Sequence, residues 1–506
     1  MLNASLHVDT TESVAPVHRR TFGSFVEHMG RCVYTGIYEP GHPTADAQGL
    51  RQDVADLVRE LGVTTVRYPG GNFVSGYRWE DGVGPRDQRP VRRDLAWHSI
   101  ETNRFGLDEF MTWCQGLDIE PMMAVNLGTR GVQEALDLLE YCNHPSGTHL
   151  SDQRIANGHP DPHGIRMWCL GNEMDGPWQI GHLDARAYGR KAARTARAMK
   201  MADRDLELVV CGSSGSTMPT FGAWEATVLE ETYDAVDHIS LHAYYEEHEG
   251  DLGSFLASAT DMDGFIDSVA ATADAVGAKL RDPKRIQLSF DEWNVWYLSR
   301  HQAEAALQPT DDWRVAPRVI EDRYNVADAV VVGNLLISLL RHSDRVTAAS
   351  QAQLANVIAP IMTEPGGAAW RQTIFHPFAL TARAARGQVL RTHLNAPTYG
   401  TERHGTVPVA DAVLTHSEED GATSLFVVNR STDQALTFDA DLNALTPTAV
   451  TNAQTLTDDD PYATNTMRVP DRVVPRPAKD VRLEGGRLTA VLPPVSWSVI
   501  TLATRG

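Results

Sequence analysis

Between Thr21 and about Arg386, eight short strand-like runs alternate with longer stretches of helical period, and this alternation limits the possible folds more than any other property of the chain. The runs are Gly23–His28, Thr64–Tyr68, Pro121–Leu127, Arg166–Leu170, Leu206–Gly212, His238–Tyr244, Ile286–Glu292 and Thr347–Gln353. Between them, Arg51–Leu61, Leu107–Leu117, Val132–Cys142, Leu183–Ala202, Met262–Leu280 and Tyr324–Arg341 place apolar residues three and four apart, the period of an amphipathic helix. A further helix around Phe221–Glu230 follows that period less closely. Strict alternation implies parallel strands joined by right-handed crossovers, and eight such units close into a (β/α)8 TIM barrel. A doubly wound open sheet is the rival, but it normally holds fewer strands, and no GxGxxG follows the first run.

After Arg386 the pattern changes. Ala412–Ser417, Thr423–Asn429, Gln434–Phe438, Arg487–Leu492 and Trp497–Leu502 alternate at period two between Gly, Asp, Asn and Pro turns, which predicts an antiparallel β-sandwich. Leu2–Val8 alternates in the same way with no helix after it, so the expected organisation is a barrel over 21–385 and a sandwich over 386–506, joined by the strand within 1–20. Asp458–Asp480 reads as a long sandwich loop, and Asp311–Pro317 as a loop near the catalytic face of the barrel.

Charge and cysteine content exclude several classes. With 66 acidic residues against 45 basic ones the formal net charge is −21, and no basic run could track a phosphate backbone, so nucleic acid is not an expected partner. No segment offers the roughly 18 apolar residues of a membrane span, and the first residues lack a signal-peptide core. Cys32, Cys114, Cys142, Cys169 and Cys211 form no CxxC pair, as expected of free thiols in a reducing cytoplasm, and no structural zinc is expected.

In a barrel the chemistry comes from the C-terminal ends of the strands. Here those ends carry Glu27 and His28, Arg67 through Asn72, Asn126, Asn172 and Glu173, His242 and Tyr244, Asp291 through Asn294, and Gln353. Apolar runs that deliver a carboxylate or carboxamide at their last residue place charge at the rim of a core, which is costly without partners. Glu173 and Glu292 end the fourth and seventh runs and can face each other across a barrel mouth. Carboxyl groups about 5 Å apart suit retaining glycoside hydrolysis, whereas a gap of about 6.5–9.5 Å admits the water of an inverting reaction. Each residue alone has an ordinary structural reading. Glu27 can be a surface glutamate, Asn172 a helix cap, His242 and Tyr244 a core pair on one strand face, Asn72 a turn residue, and Trp293 and Trp296 packing aromatics. Six or more polar strand ends together do not have that reading.

Other templates are missing: there is no GxxxxGK[ST], no HExxH and no GxSxG, and Cys211-Gly212-Ser213-Ser214-Gly215 imitates the last only in part. A metal-dependent lyase or isomerase with Glu27, Glu173 and Glu292 as ligands stays open, as does a carbohydrate-binding protein without turnover.

Gly23–His28, Arg67–Phe73, Trp168–Trp178, Asp291–Tyr297 and Gln353–Ile361 together resemble the α-L-arabinofuranosidases of glycoside hydrolase family 51, in family order, from about Thr21 to Phe378. The resemblance implies a (β/α)8 barrel with an appended β-sandwich, retention of configuration, no cofactor or metal, and a homo-oligomer, often a hexamer. It implies an exo-acting enzyme that releases terminal L-arabinofuranose from arabinan or arabinoxylan fragments. A retaining glycosidase acting on xylan or β-glucan is the alternative. By the same resemblance Glu173 is the acid/base and Glu292 the nucleophile. Glu27, Asn72, Asn172, Tyr244 and Gln353 match positions that hold the furanose, His242 one near the nucleophile, and Trp296 one that shapes recognition. Gln351 lies close enough to compete with Gln353. On physical grounds Glu292 must be ionised, with His242 and Tyr244 as candidate hydrogen-bond donors. Glu173 must start protonated, aided by the nearby Glu292 charge, and Asn172 is expected to meet the sugar 2-hydroxyl.

Overall fold

The computed structural model describes residues 1–305 and 311–504. Strands β1 (Gly23–Phe25), β2 (Thr65–Tyr68), β3 (Glu120–Val125), β4 (Met167–Leu170), β5 (Glu207–Val210), β6 (His238–Tyr245), β7 (Gln287–Val295) and β8 (Val346–Gln351) run parallel and close into a barrel. Each expected run supplies one strand. Alternation sorts their side chains: Met122 and Ala124 of β3 cluster with Met167, Cys169, Val209 and Ala348 inside the barrel, whereas Met123 and Val125 join the larger core under the helices.

One strand breaks this alternation. In β7, Ser289 pairs with Ser240 of β6 and Glu292 with His242, so three steps on β7 face two on β6. The same offset recurs against β8, where Phe290 pairs with Ala349 and Trp293 with Gln351. A bulge of this kind re-aims the residues that follow it.

The chain reaches β8 through helix Val326–Arg341, in which every residue from Val326 to Leu340 is buried. A helix apolar all round must be covered all round. The barrel covers one side and the C-terminal sheet the other. Asn325 starts the helix with a reciprocal cap: its side chain accepts from Asp328 N at 3.0 Å, and the Asp328 carboxylate accepts from Asn325 N at 2.8 Å.

The C-terminal sheet has ten strands in one continuous hydrogen-bonded order and folds over its own apolar core instead of splitting into two sheets. Strand Leu2–Pro16 lies within it, antiparallel to Gln388–Asn395 and parallel to Leu436–Asp441. In Ala422–Asn429, Leu425 and Val427 face that core with Phe438 and Ile500, while Phe426 and Val428 turn to the barrel side. A polar clamp fixes the join. Asp411 of the sheet accepts from Asn334 at 2.8 Å and pairs with Arg430 at 3.1 Å, and it also pairs with Arg341, which reaches Asp263 at 2.7 Å.

Several elements differ from expectation. The helix expected at Phe221–Glu230 is Ala223–Thr232, and β8 stops at Gln351, so Gln353 lies beyond it. Strands Gln388–Asn395 and Pro447–Leu456 carry no alternating signal, and in the latter only Thr455 and Leu456 are buried. Asp458–Asp480 holds only the short strand Arg476–Pro477, as a loop would. In the Asp311–Pro317 stretch, Arg314–Val315 pairs with Ser99 and Ile100, and Trp313 stacks on His98 at 3.8 Å. Among the described residues no helix is long and apolar enough to cross a membrane.

Gly333 of the buried helix lets the sheet approach: a Cβ there would lie 2.2 Å from Trp497 Cδ1. An exposed helical Gly→Ala change stabilises by up to about 1 kcal/mol. Gly333→Ala is expected to do the reverse, costing about 1–3 kcal/mol by overpacking. Thermal unfolding reads the sign, and a raised Tm would refute the tight interface.

Candidate active site

The C-terminal ends of the strands open into a cleft of about 850 Å3, lined among others by Glu27, Asn72, Glu173, Tyr244, Glu292, Trp296 and Gln353. His242 and Asn172 sit behind this lining, both buried.

Beneath the cleft is Arg67, an arginine inside the strand Thr65–Tyr68 and only 1% exposed. Its Nη1 donates to Glu292 Oε1 at 2.7 Å and its Nη2 to Asn172 Oδ1 at 2.6 Å, while its Nε lies 3.6 Å from Asp291 Oδ2. Consecutive residues of a regular strand point to opposite faces, yet Asp291 and Glu292 both reach Arg67. The β7 bulge makes that possible.

His242 is the second cation of the cluster. Its Nδ1 is 2.9 Å from Glu173 Oε1 and its Nε2 is 2.8 Å from Asp291 Oδ1. Of the two donors expected for Glu292, Tyr244 is confirmed, its hydroxyl lying 2.7 Å from Oε2. His242 stands 3.6 Å from that oxygen and spends its hydrogen bonds on Glu173 and Asp291 instead. Burial works against charge on His242, but Glu292, Asp291 and Glu173 outweigh it and hold the imidazole well above its ordinary pKa. Burial likewise opposes ionisation of Asp291, where Arg67 and His242 prevail and keep the carboxyl low. At Glu292 burial prevails over the pull of His242 and Arg67, and Glu173 adds to the rise.

Glu173 follows β4 through a sharp turn in which Gly171 has φ +93° and Glu173 itself φ +43°. A non-glycine residue in the left-handed region costs about 1–3 kcal/mol and persists where its surroundings require it. The turn sends Asn172 down to Arg67 and lifts Glu173 into the cleft, where Trp178 Nε1 donates to Oε2 at 2.8 Å.

Glu27 forms the deep end. It accepts from Phe73 N at 2.9 Å, Trp97 Nε1 at 2.7 Å and Gln353 Nε2 at 3.1 Å, and burial pushes its carboxyl up to about 8. The glycine pair before Asn72 exists for this residue: a Cβ on Gly70, at φ +147°, would lie 2.6 Å from Glu27 Cγ. Gln353 faces the cleft, whereas Gln351 bonds Asn294 at 3.3 Å inside the barrel. Asn126, another polar strand end, turns away to Tyr77 O and Thr129.

Residues 57–263 match the alpha-L-arabinofuranosidase 1 domain and residues 291–496 the alpha-L-arabinofuranosidase C-terminal domain. The chain is 60% identical, over 99% of its length and 76% of the relative's, to a Streptomyces lividans protein named intracellular exo-alpha-(1->5)-L-arabinofuranosidase. It is 56% identical, over 98% and 96%, to an exo-alpha-(1->6)-L-arabinofuranosidase of Bifidobacterium longum. The chain belongs to the family 51 α-L-arabinofuranosidases. A solved family 51 structure from Bifidobacterium longum superposes with a TM-score of 0.95 at 51% identity, covering 99% of this chain and 100% of the other.

Within this family 51 fold, Arg67 and Asp291 are strand-end residues to which the sequence assigned no role, and Trp97 is a site residue that the strand ends do not include. Arg67 had a visible signal, because an arginine within a four-residue barrel strand needs buried partners. Trp97 had none, lying in the loop 95–98 between two short strands.

His242 carries a pH-dependent test. Its folded pKa is raised, so its contribution to stability is fully present below the unfolded value of about 6.5 and is lost as pH rises through the folded value. The Tm gap between the wild type and His242→Gln is therefore expected to narrow from pH 6 toward pH 10. A gap that widens over that range would remove the charged imidazole.

Proposed function

We propose that this chain is a retaining, exo-acting α-L-arabinofuranosidase that releases terminal L-arabinofuranose from arabinose-containing oligosaccharides. The observation that carries this reading is the closeness of the two glutamates: an oxygen of Glu173, an oxygen of Glu292 and a ring nitrogen of His242 all lie within 4.8 Å of one another. That spacing favours double displacement over a single displacement by water.

Glu292 is the nucleophile and attacks the anomeric carbon, while Glu173 gives its proton to the departing oxygen. A glycosyl ester on Glu292 results. Glu173 then takes a proton from water, and the resulting hydroxide cleaves the ester at the anomeric carbon, so two inversions give retention. The charge count fits these roles. Arg67 and His242 bring two positive charges to Asp291, Glu292 and Glu173, so the cluster is neutral when one carboxyl keeps a proton. The role of Glu173 as acid rests on its place in the cleft: it is the most accessible of the three to a departing oxygen, with 11% of its side chain exposed against 7% for Glu292 and 1% for Asp291. His242 orients Glu173 through Oε1 and Trp178 Nε1 donates to Oε2, so the carboxyl is held from both sides.

Glu27, Asn72, Asn172, Tyr244 and Gln353 hold the furanose, and Trp296, edge-on to Tyr244 at 5.0 Å, shapes its wall. Burial of Glu27 at the deep end supports action at chain ends, consistent with the exo names of the relatives. The barrel, 21–385, carries the chemistry, and the 386–506 domain with its N-terminal strand braces it. We place the enzyme in the cytoplasm as a homo-oligomer. Its five cysteines are free and buried, several relatives are named intracellular, and Val91, Leu95 and Val315 leave 64%, 65% and 50% of their surface exposed for association.

Glu173, His242 and Glu292 also have the spacing of a metal site, the feature a metal-dependent lyase would need. Their atoms are already engaged: both nitrogens of His242 meet carboxylates, and both oxygens of Glu292 meet Arg67 and Tyr244. Dialysis against a chelator is expected to leave hydrolysis intact, and loss restored by a divalent cation would favour the metal reading.

Glu292→Ala is expected to remove measurable turnover of an aryl arabinofuranoside, and near wild-type rates would exclude it as nucleophile. Glu173→Ala should cost about 10²- to 10⁴-fold on poor leaving groups and far less on an activated aryl group. Equal loss on both would count against its role as acid.

A further inference from the structure

The cleft extends well beyond the two glutamates, and its outer wall comes from another part of the chain. Arg403 and His404 line the same cavity as Glu173 and Glu292, yet they belong to the hairpin Thr398–Thr401 and Gly405–Pro408, which connects the sheet strands Gln388–Asn395 and Ala410–Ser417. The tip is held to the barrel. Tyr399 Oη donates to Gly253 O at 2.9 Å, and Ser254 Oγ accepts from Glu402 N at 3.1 Å and from Arg403 N at 3.4 Å. His404 N donates back to Thr401 Oγ1 at 3.0 Å. Gly253 and Ser254 lie in the short helix Leu252–Leu256 that follows β6, the strand carrying His242 and Tyr244.

The hairpin therefore presents Arg403 on a fixed backbone. Its guanidinium has no hydrogen-bond or ion-pair partner among the described residues, unlike Arg430 and Arg487 of the same sheet domain, which pair with Asp411 and Asp439. Around it the cleft carries mixed donors and acceptors. Asp251 is occupied by Ser254, Asp261 accepts from Ser216 at 3.1 Å and Tyr245 at 3.1 Å, and Thr217, His248 and Gln302 complete the wall. Trp178, 51% exposed, offers an aromatic surface near Glu173. A wall of both signs with an exposed aromatic surface suits neutral sugar hydroxyls, for which an arginine fork supplies several donors.

We infer that the hairpin tip Glu402–His404 forms the leaving-group end of the cleft, and that Arg403 is a specificity-determining residue that donates to hydroxyls of the sugars beyond the scissile bond in a neutral oligosaccharide. This rests on the arabinofuranosidase reading above and adds the part of the substrate that the C-terminal domain recognises. The catalytic glutamates then select the terminal furanose, and a loop from the other domain measures what it is attached to.

The test compares two substrates that differ only on the leaving-group side. Arg403→Ala lies at an exposed tip and is expected to leave Tm within a degree or two of the wild type. On a linear arabinofuranotriose it should lower kcat/KM by about ten-fold or more, mainly through KM, as loss of a charge-assisted hydrogen bond predicts. On an aryl arabinofuranoside, which places no sugar there, the change should stay below about two-fold. Tyr399→Phe, which removes one of the three hydrogen bonds holding the hairpin to the barrel without touching the cleft, should give the same selective loss to a smaller degree. Equal losses on both substrates, or no loss on the triose, would overturn the inference. A wild-type enzyme that fails to turn over the aryl substrate is a separate result: it would remove the arabinofuranosidase reading, and this inference with it.

Discussion

Arg67 is the contact on which the site depends. Three carboxylates stand at the mouth of a barrel whose interior includes the apolar cluster Met122, Ala124, Met167, Cys169, Val209 and Ala348, and carboxylates in such surroundings tend to take up protons and lose their charge. One guanidinium answers most of this. It ties Glu292 and Asn172 together, stands beside Asp291, and with His242 sets the number of protons the cluster holds. The desolvation cost of such a buried group is several kcal/mol per ion, so it adds little to stability and is kept for the arrangement it imposes.

That arrangement needs a backbone fault. A regular strand would have turned either Asp291 or Glu292 outward, into the apolar layer occupied by Phe290 and Trp293. The bulge in β7 places both inward at the cost of one unpaired step, and the left-handed turn at Glu173 brings the second glutamate to meet them. The bulge lies midway along β7 and the turn follows the end of β4. The geometry of the site is produced by local departures from a regular scaffold, and that scaffold is backed by the helix Val326–Arg341, buried from Val326 to Leu340 between barrel and sheet.

The eight-strand alternation and the polar strand ends made the barrel and both glutamates legible, because burial pattern and strand direction are local properties of a sequence. What stayed hidden was non-local. Nothing in Asp291-Glu292 announces a bulge, and the partner of His242 depends on a register across strands. The strand Pro447–Leu456 lacks alternation because most of it is uncovered at the flank of the sheet. Gly70 and Gly71 looked like a turn signal, and the reason for them is the Glu27 side chain 46 residues upstream of Phe73. Gln353 could be told from Gln351 only once β8 was seen to end between them.

The strand Leu2–Pro16 is held between Gln388–Asn395 and Leu436–Asp441. During synthesis it leaves the ribosome before either neighbour and meets the first of them only after almost 400 further residues, about 20 to 80 s later at the usual elongation rates of about 5–20 residues per second. Over that interval its hydrogen-bonding edges are bare, the condition that invites pairing with another chain. The barrel, which needs none of this strand, has time to close first. Its completed surface, with Gly333 leaving room for Trp497 of the sheet, then becomes the template on which the two distant ends of the chain are brought together.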